Sequence, residues 1–269
     1  MTASLLLSAI SRAEAATAAP ALSAEQIVKR ALARAALSEK NAVRDAYAFQ
    51  KSIVTEDLDT KGKVKERKEK DVLTQGDTSY IQRIRINGKD LAGAELQRQR
   101  DAEIKARQKI TQQKNKQRED SYEHYLNSDV VSRFELKLVG TEAINGRPAY
   151  VVSFRPRNGK LPINQLADRL INHLSGKAWI DTADYEIAKT DIHLDEEVSF
   201  WAGLIGTLKR VDFSYEKTRV AEGVWLQSLL QGEFEGRKLL DKMHVRTRAE
   251  SKDFRKVSNP VLGIGGPLR

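Results

Sequence analysis

The sequence predicts a mainly antiparallel β protein with helices (α+β), in which a large sheet carries helices against its concave face. Three observations predict it. Long stretches alternate apolar and polar residues, as at Tyr150, Val152 and Phe154 or Val211, Phe213 and Tyr215. Tight-turn pairs such as Asn145-Gly146 separate neighbouring stretches, which favours strands that pair with their sequence neighbours. Two amphipathic segments, one near each end of the first half-dozen strands, supply the apolar stripes that a one-sided sheet must bury.

In chain order, Ser23 and Gln26 stand three apart, the spacing of a capping box. Ile27, Val28, Ala31, Leu32 and Ala35 then form one helical stripe. From Tyr47 the period becomes two, with Tyr47, Phe49 and Ile53 on one face. The turn DTKG leads to KVKERKEKDVL, a strand charged on both faces that reads as a solvated edge. SYIQRIRI follows, closed by Asn87-Gly88.

Residues 91–125 form a polar insertion of good helix formers with almost no apolar stripe before Tyr122, Tyr125 and Leu126. A single helix of that length would run about 50 Å, against about 45 Å for a compact domain of this size. It is expected to bend, break or project as a solvated arm. Strands resume at VVSRFELKLVG, where Phe134, Leu136 and Leu138 alternate, and return at AYVVSFRP. Ile163, Leu166, Ala167, Leu170, Ile171 and Leu174 then make a continuous helical stripe, with Gly176 placed to end the helix. From Lys177 onward strand follows strand, up to a Gly/Pro-rich tail.

The bulk properties narrow the function. The 269 residues are 40% hydrophobic, enough for a substantial core, and hold no cysteine. Disulfides, thiol catalysis and cysteine-zinc sites are therefore excluded. A net charge of +9 invites a nucleic-acid reading, yet the Lys and Arg residues are spread along the chain without the aromatic interleaving of strand binders. No nucleic-acid partner is expected. The opening SLLLSAISRAEAATAAPA resembles the end of a secretory signal, with small residues in A-x-A spacing. The expected organisation is a signal peptide at 1–19, one domain at 20–257 that includes the insertion, and a flexible tail at 258–269.

Catalytic signatures are missing: no nucleophile elbow, phosphate loop or zinc-protease motif appears. His193 with Asp191 and Asp195 forms the sole acid/base or metal-like grouping, and a solvated sheet face has the same composition. The expectation is a non-enzyme without catalytic residues, metal or cofactor. Apolar surface remains. A twisted sheet around helices leaves a seam that can open as a pocket. Its expected walls are Phe49, Ile53, Tyr80, Ile84, Phe134, Leu136, Val152 and Phe154, with Leu166 and Leu170 as a lid and Trp179 on the following strand. The same residues could equally form a filled core. FWAGLIG places Phe200, Trp201, Leu204 and Ile205 together without charge, as a buried rim or a lip for a partner.

With these segments assembled, the chain resembles the periplasmic outer-membrane lipoprotein-sorting family, including its lipoprotein carrier, and the N-terminal domain of the sigma-E regulatory protein. The matching stretches are DAYAFQKSIVTEDLDTKGKV, INGRPAYVVSFRP, LPINQLADRLINHLSG, KAWIDTADYEIAKTDIHL and EGVWLQSLLQGEFEGRKLLDK, across residues 23–257. WID and GVWL are the most particular words. The resemblance implies an incomplete β-barrel, or half-barrel, with helices over an apolar concave face. It further implies an exported, periplasmic protein that holds lipid or lipoprotein acyl chains and carries them toward the outer membrane, with a membrane-surface or protein acceptor. It is expected to act as a monomer. The alternative is a periplasmic sensory or scaffold protein of the same fold that binds a protein partner and no lipid.

Overall fold

Tight turns and an unbroken run of strand-forming segments join into one twelve-stranded sheet in which every pairing is antiparallel. The computed structural model describes residues 22–40, 43–76, 78–117, 131–164, 166–200, 206–238 and 241–257. The predicted signal peptide and tail lie outside the described residues, as do Tyr122, Tyr125 and Leu126.

The strands are β1 (Tyr47–Leu58), β2 (Val64–Gln75), β3 (Thr78–Ile86), β4 (Lys89–Asp90), β5 (Phe134–Ile144), β6 (Arg147–Pro156), β7 (Leu174–Asp181), β8 (Ile187–Leu194), β9 (Val198–Phe200), β10 (Gly206–Ala221), β11 (Val224–Lys238) and β12 (Asp241–Lys256). Their order in the sheet is β4-β3-β2-β1-β12-β11-β10-β8-β7-β6-β5, with β9 attached to β10. Sequence neighbours pair almost throughout, and one long-range pairing sets β1 beside β12. The two ends of the path, β4 and β5, do not pair, so the barrel stays incomplete. Asn87-Gly88 and Asn145-Gly146 all have positive φ, the geometry of a two-residue hairpin turn whose twist matches that of its strands.

Helix α1 (Ala24–Lys40) starts where its sequence says it should. Ser23 N donates to Gln26 Oε1 at 2.9 Å while Gln26 N donates to Ser23 Oγ at 3.2 Å. Its buried Ala24, Ile27 and Ala31 pack on Val152 and Ile180, with Leu136, Tyr150 and Ala178 around them. The face of the sheet carrying these residues is the inner face.

Helix α2 (Gly93–Gln117) reaches the same face at the other end of the sheet. Glu103 Oε1 lies 3.3 Å from Lys68 Nζ and 3.0 Å from Lys70 Nζ, and Gln99 Oε1 accepts from Lys68 Nζ at 3.1 Å. Burial pushes the Glu103 carboxyl up, but the two ammonium groups outweigh it and hold its pKa below the usual value. The first half of this segment is therefore docked, where the sequence suggested a projecting arm. The charges of β2, read as those of an edge, belong to an interior strand whose lysines receive α2.

The predicted helix at 163–174 is shorter. Helix α3 spans Leu166–Ile171, and by Leu174 the chain is already paired with β8. Gly176 is a strand residue: a Cβ there would stand 2.0 Å from Asp191 O and 2.8 Å from Phe154 Cζ. The glycine lets β7 and β8 approach and the Phe154 ring lean over the backbone. It does not cap a helix.

The outer face is a lattice of charge. Arg246 reaches Glu233 at 3.1 Å and Glu56 at 3.4 Å, and Glu56 accepts from Arg67 at 2.7 Å. Such exposed pairs contribute little singly. His244 is better sheltered, its Nε2 2.9 Å from Glu233 Oε1 and its Nδ1 3.2 Å from Asp59 O. The hydrogen bond to Glu233 raises the His244 pKa above 6.5 and, reciprocally, lowers that of Glu233. A raised histidine pKa adds stability that is complete below about pH 6.5, the unfolded value. That stability is lost as pH rises through the folded value. Urea unfolding of wild type and His244→Gln should therefore show a wild-type advantage in mildly acidic buffer that shrinks steadily above pH 6.5. An advantage that is independent of pH would assign His244 a packing role only.

Candidate functional site

Side chains alternate along each strand, so the pairing register determines which of them share a face. One row of paired residues crosses the inner face from Val152 through Ala178, Thr190, Tyr215, Leu230, Ala249, Ile53 and Lys70 to Ile84. The next row runs through Leu136, Phe154, Gly176, Ile192, Phe213, Gly232, Thr247 and Thr55 to Lys68. At the two ends these rows are covered: Val152 is 1% exposed beside α1, and Ile84 is 0% exposed. Between the ends, Thr190, Ile192, Phe213, Tyr215, Leu230 and Ile53 remain only half-buried.

The result is a trough of apolar and small side chains, about five strands or roughly 20 Å across at the usual strand spacing. Burial raises the pKa of the Tyr215 phenol on its floor, so the phenol stays neutral at all ordinary pH values. Gly232 opposite Phe213 carries no side chain, and the Phe234 ring leans over it, 3.0 Å from where a Cβ would stand.

The α1 wall is pinned by charge. Glu186, with a side chain 3% exposed, accepts from Lys217 Nζ at 2.5 Å and meets Arg34 Nε at 3.2 Å. Arg34 also donates to Gly223 O, and Arg30 Nη1 donates to Tyr185 Oη at 2.7 Å. At the C-terminal end of α1 the trough deepens into a cavity of about 260 Å³, lined by Phe49, Lys51, Tyr215, Lys217, Gln227 and Ser251 among others.

No family model matches the chain, and no curated protein does. Among solved structures it is similar to lipoprotein-sorting proteins and to MucB. A LolA superfamily protein from Nitrosomonas europaea is 12% identical, with 89% of this chain and 96% of that one covered at a TM-score of 0.29. A putative outer membrane lipoprotein-sorting protein domain from Vibrio parahaemolyticus is 11% identical, covering 86% and 94%, with a TM-score of 0.28. The Pseudomonas aeruginosa complex of MucB with MucA is 12% identical, covering 88% and 99%, with a TM-score of 0.24. These are the groups that the sequence itself resembles.

The residues expected to wall one pocket fall into separate groups. Leu136 and Val152 pack beneath α1, and Phe134 meets Phe154 edge-on at 5.6 Å. Phe49, Ile53 and Ile84 lie at the far side of the trough, where Phe49 packs 5.4 Å from Phe254. Tyr80 is on the outer face and 45% exposed. A bulge in β3 near Gln82 shifts the alternation, so Tyr80 and Ile84, both even-numbered, face opposite ways.

Trp179 is also on the outer face, with Ala149 and Val151. Its Nε1 donates to Glu142 Oε2 at 2.7 Å and Lys189 Nζ sits 4.9 Å above its ring. Leu166 opens α3 and Leu170 is half-buried within it. That helix sits by β9 and is fastened by Asp168 to Arg133 at the head of β5, so the helix lying across β5, β6 and β7 is α1. Phe200 is half-buried on β9, and Trp201, Leu204 and Ile205 lie outside the described residues.

The histidine grouping on β8 is divided among separate partners. Asp191 accepts from Ser214 Oγ at 2.6 Å, and His193 Nε2 lies 3.2 Å from Asp195 Oδ1. Among the described residues no group of three His, Cys, Asp or Glu is placed to hold a metal ion. Apart from Ile53, sequence reading missed the floor of the trough, because Thr190, Gly232 and Ala249 break any apolar pattern within their own strands. Only the register aligns them with Tyr215, Leu230 and Phe213.

Proposed function

We propose that the chain is a non-enzymatic, exported periplasmic binding protein that holds lipid or lipoprotein acyl chains in the inner-face trough. The observation that carries the reading is the half-buried stretch of apolar floor left between two helix-covered ends. A fully packed core would bury Phe213, Tyr215 and Leu230 as completely as it buries Val152. An acyl chain laid along this floor gains about 0.8 kcal/mol for each methylene removed from water. A long chain thus supplies ample affinity without directional contacts.

Transfer toward an outer-membrane acceptor would follow from competition between this floor and a drier site. Glu186, held by Arg34 and Lys217, keeps α1 in place as one wall while cargo is loaded.

Native mass spectrometry and lipid extraction of the exported protein would test this, with wild type set against Leu230→Glu. Leu230 stands on the floor between Tyr215 and Ala249. A carboxylate there must be desolvated by any bound chain. Co-purifying acyl species in wild type, and at least ~10-fold weaker uptake of added fatty acid by a folded Leu230→Glu, are expected. A wild type that is empty and refuses added fatty acid would sink the proposal and leave a protein partner as the reading to pursue.

A further inference from the structure

The cavity at the C-terminal end of α1 differs chemically from the trough that it adjoins. Among the described residues that line it, three side chains, Arg44, Lys51 and Lys217, are cationic and none is acidic. Glu186 lies just outside and is shared between Lys217 and Arg34.

Two further lining groups have a side-chain atom without a hydrogen-bond partner among the described residues. Ser251 is 7% exposed, and its Oγ is buried without a hydrogen-bond partner. Gln227 Nε2 is likewise buried and unpartnered. Native proteins satisfy nearly all such groups, and an orphaned pair facing one cavity calls for an acceptor. A bulge in β11 makes the arrangement. The register shifts between Glu216 and Lys217, so Gln227 pairs with Lys217 and joins it on the inner face, beside Ser251 opposite Lys51.

We infer that this cavity receives the anionic head of an amphiphile, a carboxylate or phosphate, whose hydrocarbon chain lies in the trough. The inference rests on the acyl-chain reading above and adds the headgroup chemistry to it. Gln227 and Ser251 donate to the anion's oxygens, Lys51 and Arg44 supply charge, and Tyr215 marks the junction where head gives way to chain. A cavity of about 260 Å³ accommodates such a head together with the first part of its chain.

The test measures binding of dodecanoate, dodecyl phosphate, dodecanol and inorganic phosphate by calorimetry, to wild type and to Gln227→Leu/Ser251→Ala. Wild type should prefer both anionic amphiphiles to dodecanol by ~10-fold or more. In the double variant the anions should fall to the affinity of the alcohol. Equal binding of anions and alcohol by wild type, or a preference intact in the double variant, overturns the headgroup assignment while leaving the chain reading standing. Inorganic phosphate binding as tightly as dodecyl phosphate overturns it in favour of a free-anion site. Failure of every amphiphile to bind overturns both readings. Because the Ser251 hydroxyl has no partner to lose, Ser251→Ala should melt no lower than wild type when empty. A clear drop in Tm would show that the hydroxyl is already satisfied and would count against the inference.

Discussion

Asp168→Ala is expected to cost about 3–5 kcal/mol of stability, the range for breaking a buried ion pair from one side. The Asp168 and Arg133 side chains are 1% and 3% exposed, and Arg133 Nη1 lies 2.8 Å from Asp168 Oδ1. Removing the carboxylate leaves a guanidinium sealed from water with Asn172 Oδ1, at 3.4 Å, as its remaining side-chain acceptor among the described residues. The same carboxylate also accepts from Asn164 N at 2.7 Å, so the chain entering α3 loses its anchor as well. Replacing both partners, as Arg133→Met/Asp168→Leu, should recover much of the loss, since two apolar groups of similar volume leave no charge stranded. Denaturant unfolding of the two single variants and the double variant decides the matter. A double variant no better than the sum of the singles would show that the pair does not act as a unit.

That pair was invisible in the sequence for a physical reason. Arg133 and Asp168 belong to segments that meet only after β5, β6 and β7 have assembled, and neither residue sits in a local pattern. Local features were legible. The Ser23/Gln26 box, the Asn-Gly turns and the alternation of Tyr150, Val152 and Phe154 depend on neighbours within a few residues, and each stands as read. Reading failed where alternation was extended across a bulge, which sent Tyr80 outward, and where one glycine served two explanations. Gly176 can end a helix or admit a close strand, and only the 2.0 Å approach of Asp191 O to its missing Cβ distinguishes them. The candidate site was half legible. Its covered ends, Val152 and Ile84, and Ile53 of its floor are legible in single strands, whereas the rest of the open floor is a property of register that no single strand encodes.

The inner face also explains why a chain with so many charges can hold an apolar trough. Charge is sorted by face and by end: the outer lattice around Glu233 and Arg246 stays in water, while Lys68 and Lys70 share the carboxylate of Glu103 where α2 lands. Arg34, Glu186 and Lys217 do the same beneath α1. The cations that line the small cavity, Arg44, Lys51 and Lys217, gather around Tyr215 at the border of that apolar strip.

Asp181→Ala is expected to destabilise the protein by about 3 kcal/mol, because several charge-assisted hydrogen bonds are lost together. Asp181, 1% exposed, accepts from Arg147 Nε at 2.7 Å and Nη2 at 3.0 Å, and from the backbone N–H groups of Ala183 and Asp184 at 3.0 and 2.8 Å. Burial pushes its carboxyl up, yet these donors outweigh burial and hold its pKa below the usual value. The most particular words of the sequence meet here. Asp181 ends WID, and Trp225 of GVWL donates from Nε1 to Asp184 Oδ2 at 2.8 Å, beneath the Arg147 guanidinium 5.6 Å from its ring. The turn that Asp181 caps continues into Tyr185 and Glu186, the two residues that receive Arg30 and Arg34 of α1. Loss of the cap should therefore loosen the α1 wall as well as the turn. Hydrogen exchange should report faster exchange in α1 of Asp181→Ala than in β1 or β12, alongside the drop in stability. Asp181→Asn, which keeps acceptor oxygen for the turn but gives up the charge facing Arg147, should fall between the two. If exchange rises evenly over the whole sheet instead, the turn does not govern the helix, and Asp181 serves overall stability alone.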